Sequence, residues 1–93
     1  MDIASFENSL RSDGYQEIET KALPAGTRNA EHGHPFDVRA LVLEGQISLL
    51  VAGVARTYGK GEVFTMAAGC RHAEEIGAQG VRYVVGRRRG AAG

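Results

Sequence analysis

The sequence predicts an all-β domain, a small antiparallel β-barrel preceded by one short helix. Three observations predict it. From Tyr15 onward the apolar residues fall in short runs with strand character. The 13 glycines punctuate those runs, as expected where tight turns need the positive φ that glycine adopts without steric cost. Only the first dozen residues repeat at helical steps. Many short strands at even spacing, with no helix between them, argue an antiparallel sandwich or barrel over a parallel sheet.

The helix is predicted over Asp2 to Asp13, where Ile3, Phe6 and Leu10 recur at three- and four-residue steps. Asp2 suits the N-cap and Gly14 the stop. Its apolar edge is expected to pack on the outside of the barrel or on a partner chain. Strand runs follow at Gln16 to Leu23, Thr27 to His34, Val38 to Glu44, Gln46 to Ala52, Ala55 to Tyr58, Glu62 to Met66, Arg71 to Ile76 and Val81 to Gly86. Turn signals separate them, among them Pro24-Ala25-Gly26, Ala52-Gly53, Gly59-Lys60-Gly61 and Gly77 to Gly80.

With 93 residues, the chain suits one domain with one modest core. The organisation expected is a helical segment over 1–14, the barrel over 15–88 and a flexible tail over 89–93. Lysine plus arginine and aspartate plus glutamate each number 11, so no global field recruits nucleic acid or an anionic membrane. The basic run Arg87-Arg88-Arg89 precedes Gly-Ala-Ala-Gly and reads as solvated tail. A single cysteine, Cys70, excludes an internal disulfide and suits a reducing compartment. With no leader-like or membrane-spanning apolar run visible, a cytoplasmic protein is expected. Exposed sheet edges in so small a barrel favour a homodimer.

All the imidazole of the chain sits in two short segments. His32 and His34 are separated by one residue, so in an extended strand they point the same way. His72 follows a glycine turn after a later strand-like run. This is the distribution expected if two strands bring three histidines to one metal. Alternation would then carry Arg28 and Ala30 to the histidine face, with Val38, Ala40 and Val42 giving the cavity an apolar wall.

These residues also carry a family resemblance. Gly26, the five residues Thr27 to Glu31, His32, His34 and Gly45 resemble the first motif of the cupins, a glycine, five residues, His-x-His and a later glutamate and glycine. Gly61, Gly69 and His72 fall in register with the second motif. The resemblance implies a jelly-roll barrel holding a divalent iron, zinc, manganese or nickel ion on His32, His34 and His72. It departs in three places. Val38, or Arg39 by the only other spacing allowed, stands where the family has its glutamate ligand, Ala67 where it has proline and Ile76 where it has asparagine.

Two carboxylates are candidates for the missing ligand. Asp37, three residues after His34, either reaches the metal from the bend or is a surface turn residue. Glu74 shares a face with His72 and is either an additional or supporting ligand or a solvated rim residue. Cys70 is either a soft ligand or a small buried side chain; Tyr58 and Tyr83 either move protons or pack. Three functional readings stand: a metal-binding cupin with a small-molecule ligand or substrate, a metal-dependent dioxygenase, isomerase or lyase, and a non-enzymatic ligand or metal sensor. No particular residue is assigned a catalytic role.

Overall fold

The computed structural model describes residues 2–90. Helix α1 spans Ile3–Ser12, and six strands follow: β1 Gln16–Leu23, β2 Arg28–His32, β3 Phe36–Val51, β4 Val54–Tyr58, β5 Val63–Met66 and β6 His72–Arg89. Every strand pairing is antiparallel. None of the described helices is long and apolar enough to cross a membrane.

The long strands β3 and β6 are the frame. They pair from Phe36 opposite Arg89 to Leu50 opposite Ala73, with irregularities at Val42/Glu44 and Gly45/Ile47. Four of the eight expected runs are therefore two continuous strands, because Gly45 and the Gly77–Gly80 segment bend the ladder without ending it. Gly45 has φ +74°, and a Cβ there would run into the Gly80 carbonyl. Only glycine allows the two backbones to approach this closely at the bend. Beyond the bend each half of the ribbon has its own flanking strands. β1 and β5 border the half holding Phe36 to Val42, and β2 and β4 border the half holding Ile47 to Val51.

The two halves face each other over one core. Val38, Ala40 and Val42 meet Ile47, Leu49, Phe64, Ile76 and Val85 there, all buried. The opposite phase of the first half, Leu41 and Val84, points outward and is covered by α1 through Phe6 and Leu10, joined by Tyr15. Asp2 caps the helix, its Oδ1 accepting from the Ser5 N–H at 2.7 Å. The helix thus packs on the outside of the barrel.

The basic run does not form a tail. Arg87 to Arg89 continue β6 and pair with Phe36 to Val38. Each guanidinium is engaged: Arg87 and Arg89 lie over the Phe36 ring, Arg88 bonds Asp37, and Arg89 reaches Glu17. Local carboxylates and an aromatic face hold what the composition alone reads as solvated. The remainder of the expected tail, 91–93, lies outside the described residues.

Candidate metal centre

His32 ends β2 and His72 begins β6, directly opposite each other across the ladder. His34 follows in the turn before β3. The three rings form a triangle with centroid separations of 4.4, 4.8 and 5.2 Å. One ring nitrogen from each lies within 4.8 Å of the others.

Backbone carbonyls set the tautomers. His72 Nδ1 lies 3.0 Å from the Cys70 carbonyl oxygen, and His32 Nδ1 lies 2.7 Å from that of Ala30. A carbonyl only accepts, so both Nδ1 atoms carry hydrogen and both Nε2 atoms of the neutral rings keep a lone pair. His72 is 1% exposed, and its Nε2 is buried without a hydrogen-bond partner. A buried unpaired acceptor is costly, and an electrophile at the centre of the triangle would satisfy it. His34 stacks on Phe36 at 4.9 Å. Burial, and then the neighbouring His32 and His72, holds its pKa below the ordinary 6.5, which favours the unprotonated form that a metal requires.

Behind the imidazoles lies a cavity of about 170 Å³. Its walls are mainly apolar, with Leu23, Val38, Phe64, Met66 and Val85. Val38 therefore lines the cavity at the position where the resemblance expects a glutamate. Burial pushes the Tyr83 phenol on the same wall up to about 12, so it stays protonated at neutral pH. Tyr58, by contrast, packs on Phe64.

The two candidate carboxylates separate. Asp37 turns away from the histidines: Oδ1 accepts from the Ala68 N–H at 2.8 Å and Oδ2 from Arg88 Nε at 3.0 Å. Those bonds hold its carboxyl below the usual carboxylate range. The reason is phase, because β3 begins at Phe36 and Asp37 then points opposite to Val38. Glu74 does face the cavity, with Oε1 accepting from Asn29 Nδ2 at 2.8 Å, but it lies outside the nitrogen cluster. Cys70 supplies its carbonyl to His72, while its side chain packs against the core.

Alternation alone misplaces one wall. Arg28 and Ala30 are exposed, and Asn29 joins His32 on the cavity side. The register shifts between Asn29 and His32 while Glu74 and His72 remain two apart. This β-bulge puts an extra residue in β2 and reverses the phase. Lys21 and Arg87 also line the cavity. Their alternation with Leu23 and with Val81, Tyr83 and Val85 was the available signal, obscured at Arg87 by the basic run.

Fold and site together define a jelly roll with three imidazoles converging at its cavity. No family model matches the chain, and no curated protein matches it by sequence. Solved structures do. A protein of unknown function from Rhizobium leguminosarum is similar at TM-score 0.73 and 22% identity, over 78% of this chain and 69% of that one. A cupin-2 domain containing protein from Shewanella frigidimarina is similar at TM-score 0.68 and 18% identity, over 83% and 72%. A DMSP lyase from Ruegeria pomeroyi is similar at TM-score 0.70 and 23% identity, over 82% of this chain and 39% of the enzyme. The chain has the cupin fold.

Proposed function

We propose that this protein holds one divalent metal ion on the Nε2 atoms of His32 and His72 and a ring nitrogen of His34, and that a small organic molecule occupies the cavity beside it. The observation that carries this reading is the partnerless, buried Nε2 of His72, on a ring that clusters with those of His32 and His34 so that one nitrogen of each lies within 4.8 Å of the others. The donor set fits. Neutral imidazoles suit zinc, iron or nickel, and three ligands leave coordination positions free for a substrate or water. Bound there, the ion supplies Lewis-acid polarisation of a substrate oxygen. The chain's own part is to fix the tautomers through the Ala30 and Cys70 carbonyls and to surround the ion with apolar walls that exclude bulk water.

A lyase, isomerase or oxygenase reaction is supported by the open ligand positions and by the likeness to a lyase. A cytoplasmic homodimer belongs to the same proposal. The single thiol supports the compartment, and the exposed edge strand β4 with Val54 supports pairing. Elemental analysis of protein purified without added metal tests the centre. Near-stoichiometric iron, zinc, manganese or nickel is expected. The triple substitution of His32, His34 and His72 by alanine should lose it, and Asp37→Ala should keep it. A wild-type protein that holds none of the four metals, offered in turn, overturns the proposal.

A further inference from the structure

Building on the metal reading, we infer that the molecule taken into the cavity is a small organic carboxylate, gripped by Arg87 and Lys21 on the wall they share with His32 and His34.

Charge carries most of this. Two cations, Lys21 and Arg87, and one carboxylate, Glu74, line a cavity whose remaining wall is mostly apolar. The lining has a net formal charge of +1, and a divalent ion raises it to about +3. A low-dielectric wall magnifies that charge, so an anion is drawn in and a cation repelled.

The cations are also only loosely paired. Their carboxylate partner is Glu19, whose Oε1 lies 3.6 Å from Lys21 Nζ and 3.9 Å from an Arg87 nitrogen. Its side chain is 49% exposed. Long pairs to an exposed carboxylate contribute little and are readily exchanged for a ligand carboxylate. The Arg87 guanidinium lies 5.0 Å from the Phe36 ring centroid, which orients the planar fork suited to bidentate carboxylate binding. Glu74, held through its Oε1 by the Asn29 amide on the β2 wall, offsets only one of the two cationic charges of the lining.

Size narrows the class. The volume of about 170 Å³ is below the roughly 300–1,000 Å³ of ordinary small-molecule pockets. It is close to the roughly 150 Å³ that accommodates one benzene, which corresponds to about six to nine non-hydrogen atoms.

The test titrates zinc-loaded and metal-free protein with benzoate, benzamide and inorganic phosphate, following calorimetric heats and amide chemical shifts, with zinc content measured separately. Benzoate is expected to bind at least tenfold tighter than benzamide. In Arg87→Gln and in Lys21→Met the preference should fall several-fold at unchanged zinc content. Equal affinity for benzamide, no binding of either in the millimolar range, tighter binding of phosphate, or a preference that survives in both variants overturns the inference. Failure to load zinc counts against the metal centre alone, and the benzoate-to-benzamide comparison on metal-free wild type then decides the carboxylate by the same criteria.

Discussion

Replacing His72 with leucine should change stability in opposite directions with and without metal. In metal-free protein the side chain is 1% exposed and its Nε2 has no partner. An unsatisfied buried acceptor costs about 1–3 kcal/mol, and removing the ring also removes the bond to the Cys70 carbonyl, worth about 0.5–1.5 kcal/mol. Leucine has a similar volume and leaves no polar atom there. The variant is therefore expected to be between equal to wild type and about 2 kcal/mol more stable when chelator is present. With free metal at about a hundred times its dissociation constant, wild type gains about 2.7 kcal/mol. For a domain of this size that is a rise of roughly 10–20 °C in Tm, and the variant should show almost none of it. Thermal melts in chelator and in added zinc measure both arms. A metal-free variant destabilised by more than about 1.5 kcal/mol, or a wild type whose melting ignores every metal offered, refutes the reasoning.

Leu10→Ala should cost about 2–5 kcal/mol in urea denaturation, because Leu10 is fully buried between α1 and the outer face of the sheet. Ala52→Asn should stabilise by about 0.5–1 kcal/mol, seen as a higher urea midpoint. Ala52 and Gly53 both have positive φ in the β3–β4 hairpin, at 51° and 80°, and asparagine tolerates that region better than alanine. The His34 pKa is lowered in the fold, so the unfolded chain binds more protons there. Its contribution is complete above the ordinary 6.5 and falls as pH drops from 6.5 through the folded value. Metal retention should fall over the same interval. His34→Asn should flatten this part of the stability profile, and a profile identical to wild type would show that His34 does not titrate there.

The sequence by itself determined whatever depends on local period. Helical steps placed Phe6 and Leu10 on one edge of α1, and glycine spacing marked the turns. Alternation put Val38, Ala40 and Val42 on one buried face. The histidines were legible for the same reason: a single-residue spacing keeps His32 and His34 together, and the two motifs brought His72 to them. Tertiary structure decided whatever depends on pairing between distant strands. The bend at Gly45 is a close backbone approach to Gly80, so one glycine bent a strand where others ended theirs. The bulge in β2 moved Asn29 to the cavity and Arg28 away from it. Pairing with Phe36 to Val38 drew the arginine run into β6, which set Arg87 on the cavity wall and gave Asp37 to Arg88. A one-residue shift in register moves a side chain to the opposite face, and nothing local to β2 or to the arginine run encodes the partner that sets it.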